Sequence, residues 1–116
     1  MEIDIQPYNE ISVVTLSGEL NSQTTQLAQE RLTPLVEPDC KVLLNLGGVT
    51  YMSSAGLRTL LLLYRQINNA HGRVVLTNLT EMVRDTMQIT GFLDFFDAYD
   101  SVASGIAALR SPEQQA

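Results

Sequence analysis

The chain has 116 residues, 45% of them apolar, and a formal charge of −6, which suits one domain with one modest core. Its seven Lys and Arg form no basic cluster, so direct nucleic-acid binding is not expected, and the acidity itself says no more than solubility. A lone cysteine, Cys40, rules out an internal disulfide framework; the longest apolar run, Leu60 to Tyr64, cannot span a bilayer; and the N-terminus, with Glu2 and Asp4, lacks the regions of a signal peptide, so the cytoplasm is the expected location.

Ile3, Ile5 and Pro7 alternate with polar residues. Asn9-Glu10 reads as a turn and Ile11 to Leu16 as a second, β-branched strand, so the chain opens on a hairpin closed by Gly18-Glu19-Leu20. Ser22 is an N-cap candidate for a helix burying Leu27, Ala28, Leu32 and Leu35. Pro34 should end or kink that helix near Thr33, and Glu37-Pro38-Asp39 is loop. Val42, Leu43, Leu44 and Leu46 alternate too little for a one-sided strand, which favours a strand buried on both faces. A leucine-rich helix then runs from the Ser53-Ser54 pair to about Asn69. Arg73 to Thr77 is the next strand. Thr80 caps a helix with Met82, Val83 and Met87 inward, stopped by Gly91. Phe95-Phe96 reads as a short last strand, and Ser101 caps a final helix carrying Val102, Ile106 and Leu109. The tail from Ser111 has no apolar anchor and is expected to fray. The order ββαβαβα(β)α predicts an α/β fold: a mixed sheet of four or five strands with about four helices packed on it, in a single domain over residues 1–110.

The segment Val49-Thr50-Tyr51-Met52-Ser53-Ser54-Ala55-Gly56-Leu57-Arg58 places two hydroxyls where a strand becomes a helix. A helix start offers unpaired N–H groups and the positive end of a dipole, so it suits a capping serine and also a phosphate. Sequence spacing alone does not separate the two roles for Ser54. On the helix, at 100° per residue, Leu57, Leu60, Leu61, Tyr64 and Ile67 share one face, and Arg58, Arg65, Gln66 and Asn69 the other. Leu62 falls within that polar face, nearly in line with Ala55. One exposed leucine is ordinary; beside a small-residue helix start it becomes a candidate anchor for a partner, with Arg58 and Arg65 at the rim. A phosphate on Ser54 would lie four residues before Arg58, a spacing that permits a charge pair.

Enzymatic chemistry has little to work with. A catalytic serine needs a base, and the one histidine, His71, lies beyond the far end of the helix, roughly 20 Å away at 1.5 Å per residue. One His and one Cys do not make a metal site. Gly47-Gly48 and Gly56 are not followed by the Lys-Ser/Thr of a phosphate-binding loop. Cys40 reads as a small residue packed before a strand. No metal and no cofactor are expected, and a small hydrolase built on Ser54 is the weakest reading.

The chain resembles the STAS domain family, in particular the small single-domain anti-sigma factor antagonists of bacteria. The resemblance rests on Leu16-Ser17-Gly18-Glu19-Leu20, on Val42 to Leu46 with Gly48 to Met52, on Gly72 to Leu76, and above all on the pattern read from Val49 to Leu57. It implies a mixed sheet flanked by helices and a partner-switching role: binding to an anti-sigma factor that is itself a GHKL-type serine kinase, release of a sigma factor, inactivation by phosphorylation at the motif helix, and reversal by a PP2C-type phosphatase. Aligned on the motif, the acceptor is Ser54, with Ser53 the second choice. Partner contacts are expected at Asn21, Ser53, Ala55, Gly56, Arg58 and Leu62. Two positions depart from the usual pattern: Ser53 and Asn21 stand where the family often carries aspartate. The resemblance also admits a STAS module in a stress-signalling scaffold or a lipid-transport complex. The expected protein is a monomer or weak dimer with no membrane insertion.

Overall fold

Ile3 and Ile5 lean inward while Glu2, Asp4 and Gln6 face water, and this alternation makes Glu2–Tyr8 an edge strand, β1. In the computed structural model, which describes residues 1–110, Asn9 takes a left-handed conformation (φ 55°) in the two-residue turn, as a tight hairpin requires. Strand β2 then runs over Ile11–Leu20. It does not stop at Leu16 as expected. Gly18, at φ 104°, lets it continue past two register irregularities, so that Leu20 still pairs with Met52 of the next strand. The frayed tail expected from Ser111 lies outside the described residues.

Helix α1 covers Thr25–Leu32 and passes into a 3-10 turn, Thr33–Leu35, at Pro34. Its N-cap position is Thr24, not Ser22. Thr24 Oγ1 donates to the Glu19 carbonyl at 2.8 Å and accepts from the Asn21 N–H at 2.9 Å, which ties the helix start to the end of β2. Ala28 and Leu32 are buried, whereas Leu27 is 42% exposed; at about 100° per residue Leu27 lies off the face that Ala28 and Leu32 share. Strand β3, Lys41–Met52, carries the whole of Val49 to Met52. Helix α2 spans Ser54–Asn69 and strand β4 spans Arg73–Thr77. Helix α3, Glu81–Ile89, starts at a true Thr80 cap, whose hydroxyl accepts from the Val83 N–H. Met82 is 49% exposed on it, so Val83 and Met87 carry its contact with the sheet. Phe95 and Phe96 do not form the last strand. Phe92–Phe95 is a 3-10 turn, where Tyr64 packs against both Phe95 and Phe96, and β5 is Asp97–Tyr99. Helix α4, Val102–Arg110, is capped by Ser101, whose Oγ accepts from the Ser104 N–H at 3.1 Å.

The five strands lie in the order β1-β2-β3-β4-β5, with β1 antiparallel to β2 and all later neighbours parallel. Among the described residues the sheet is thus mixed, five-stranded and flanked by four α-helices. Strand β3 is buried on both faces. Val42, Leu44 and Leu46 join the larger core with α1, α2 and α3, and Leu43 joins a smaller one with Ile11, Val75 and Leu109 of α4. Three parallel crossovers of one hand place α1, α2 and α3 on one side of the sheet. Their N-termini therefore gather along the edge where β2, β3 and β4 end.

Candidate functional site: the start of helix α2

The ends of β2 and β3 lie side by side, and α2 springs from that junction. The Ser53 N–H donates to the Leu20 carbonyl at 2.9 Å. Ser53, in an extended conformation, is the N-cap, and its Oγ accepts from the Gly56 N–H at 3.2 Å. This satisfies one of the helix's unpaired donors. Ser54, the first residue of α2, is exposed. The sequence left Ser54 open as a cap or a phosphate acceptor; the capping role belongs to Ser53, and Ser54 stands outside it, over the positive end of the helix dipole.

The remaining expected contacts separate into surface and support. Gly56 is buried. A Cβ there would come within 2.5 Å of the Leu20 carbonyl oxygen. Gly56 therefore presents no surface to a visitor; its lack of a side chain lets α2 sit directly on the end of β2. Asn21 is half-buried and its amide is engaged within the loop: its Oδ1 accepts from the N–H groups of Gln23 (2.9 Å) and Thr24 (3.2 Å), and its Nδ2 donates to Glu19 Oε1 at 3.3 Å. It folds the loop before α1 as an Asx turn. Ala55, Arg58 and Leu62 do come together, with Arg65, in an open groove of about 580 Å³ between α1 and α2. Leu62 is 43% exposed.

Four groove residues, Thr25, Gln29, Thr59 and Leu61, escaped the sequence reading. Thr25 and Gln29 form the opposite wall from α1, and nothing in their own spacing marks them, because the wall exists only once the crossover lays α1 beside α2. Leu61, assigned to the core face, is half-buried and lines the groove instead. Leu63 takes its place in the core. On a 100° wheel Leu63 lies beside Leu60 and Ile67, so the signal was present; the run of four leucines hid it. Thr59 is buried with its hydroxyl donating to the Ala55 carbonyl at 3.0 Å, a local bond that satisfies a polar group against α1.

The other chemistry-bearing residues lie elsewhere. His71 occupies a left-handed turn position (φ 61°) after the far end of α2. With the half-buried Cys40 it lines an open, charged cleft alongside Glu10, Glu37, Asp39, Lys41 and Arg73. Among the described residues no group of three His, Cys, Asp or Glu could hold a metal ion, and no helix is long and apolar enough to cross a membrane.

The STAS domain model matches residues 2–105. The chain belongs to the STAS domain family. BtrV of Bordetella bronchiseptica, a candidate anti-sigma factor antagonist, is 31% identical to this STAS chain over 112 residues, which span 96% of it and 97% of BtrV. The anti-sigma-B factor antagonist of Bacillus subtilis is 26% identical over 106 residues, or 91% of this chain and 97% of that one. The solved structure of the Bacillus cell fate determinant SpoIIAA in its phosphorylated form shares the fold, with a TM-score of 0.72 at 19% identity, covering 94% of this STAS domain and all of that chain (100%).

Proposed function

We propose that this STAS chain is an anti-sigma factor antagonist whose binding is switched at Ser54. The observation that carries the proposal is the division of labour at the helix start: Ser53 caps α2 and Ser54 is exposed beside it. In its unmodified state the chain docks a GHKL-type anti-sigma factor kinase through the start of α2 and the adjoining groove, and so frees a sigma factor. In the modifying step the γ-phosphoryl group of ATP moves to Ser54 Oγ, ADP leaves and the hydroxyl proton is released. A PP2C-type phosphatase restores the hydroxyl by hydrolysis. The phosphate brings nearly two negative charges to a point where the helix dipole tolerates them, so the fold persists while the docking surface changes. On this reading the chain is a cytoplasmic regulator, its named relatives supply the anti-sigma factor as the partner class, and catalysis belongs to the partners. The test is to incubate the chain with ATP and its kinase and to map the phosphate by mass spectrometry. Modification at Ser54, lost in Ser54→Ala, is the expected result; undiminished modification of that variant would refute the site.

A further inference from the structure

This inference rests on the Ser54 switch and concerns how the phosphate acts. The chain is strongly acidic overall, yet the only charged residues of α2 are Arg58 and Arg65. Both line the groove, and its other walls (Thr25, Gln29, Ala55 and Leu62 among them) carry no charge. In the nearest loop Asn21 and Ser53 are neutral, and its carboxylate, Glu19, is not among the residues that line the groove. A two-arginine groove with an exposed leucine, on an acidic protein, complements a partner segment bearing carboxylates around an aliphatic side chain. Ser54 lies one helical turn before Arg58. An anion at position i and a cation at i+4 is the favourable orientation for a helix pair, and a phosphate binds a guanidinium through charge-assisted, often bidentate hydrogen bonds.

We propose that Arg58 is the lever of the switch: in the unmodified chain it reads a carboxylate of an acidic partner segment seated in the α1–α2 groove, and phosphoserine at position 54 draws it out of that contact. The phosphate thus acts by removing an attractive group as well as by adding a repulsive one. The test begins with phosphoserine installed at position 54 by genetic encoding, so that it does not depend on any kinase choosing that residue. In a phosphorus NMR pH titration the phosphate should titrate at lower pH in the otherwise unchanged chain than in Arg58→Gln, by about 0.3 pH units; coincident curves would overturn the pairing. Affinity for the purified anti-sigma factor kinase is then measured in a four-way cycle. Arg58→Gln should weaken binding of the unmodified chain several-fold and flatten its salt dependence, and the phosphate should cost a smaller factor in Arg58→Gln than in the parent. An equal phosphate penalty in both backgrounds would overturn the lever. A concentration-dependent dimer of the unmodified chain, lost in Arg58→Glu, would give the groove to a second copy and likewise overturn the assigned occupant. If the kinase binds no form of the chain, the functional reading itself fails, while the titration still decides the Ser54–Arg58 pair.

Discussion

Ser53 and Ser54 are chemically identical neighbours with different surroundings, and stability measurements should tell them apart. Ser53→Ala removes the hydroxyl oxygen that receives the Gly56 N–H, so it should cost about 1 kcal/mol of folding stability. Ser54→Ala removes an exposed hydroxyl and should stay within about 0.5 kcal/mol of the parent. Urea unfolding of the two variants checks this directly, and equal losses would contradict the cap assignment. Asn21 teaches a related lesson. Its amide is engaged by Gln23, Thr24 and Glu19, so its first duty is to shape the loop that presents α1, whatever it also offers a partner.

At the scale of elements, α2 is held by its seat on β2. Gly56→Ala would press a methyl group into the Leu20 carbonyl. Overpacking of this kind costs roughly 1–3 kcal/mol, which outweighs the gain of up to about 1 kcal/mol in helix propensity. A lower unfolding midpoint, with faster amide exchange at Ser53, is the expected outcome; an unchanged midpoint would mean that the helix shifts freely on its seat. The elements themselves were legible where local chemistry decides them. Arg73–Thr77, the Thr80 and Ser101 caps, the break at Pro34 and the double-sided burial of β3 follow from residue type and spacing. What was not legible depends on neighbours far along the chain. Thr24 rather than Ser22 stands at the N-cap position, and its hydroxyl bonds back to the Glu19 carbonyl instead of capping an N–H of the helix. Leu20 stays in strand because Met52 pairs with it. Phe95 and Phe96 turn aside to pack on Tyr64, which leaves the last strand to Asp97–Tyr99. The site was legible as a helix start with two serines, and its family resemblance pointed to the STAS fold. The groove was only half legible, since its α1 wall exists through packing alone.

The whole molecule is a sheet covered by three helices on one side and by α4 on the other, with Leu43 and Leu44 pointing to opposite cores. Leu43→Ala and Leu44→Ala should each cost about 2–5 kcal/mol and lower a single cooperative transition. Two separate transitions on circular dichroism would instead mark α4 as an independent unit. On the proposed reading, a charge at the exposed start of α2 should alter that surface without unfolding the core beneath it. The most direct test is the affinity of the purified anti-sigma factor kinase for the unmodified chain and for the chain carrying phosphoserine at 54, with the thermal midpoint of each recorded alongside. A loss of affinity of about tenfold or more at an essentially unchanged midpoint is predicted. Equal affinities, or a phosphorylated chain that has lost its fold, would contradict the account.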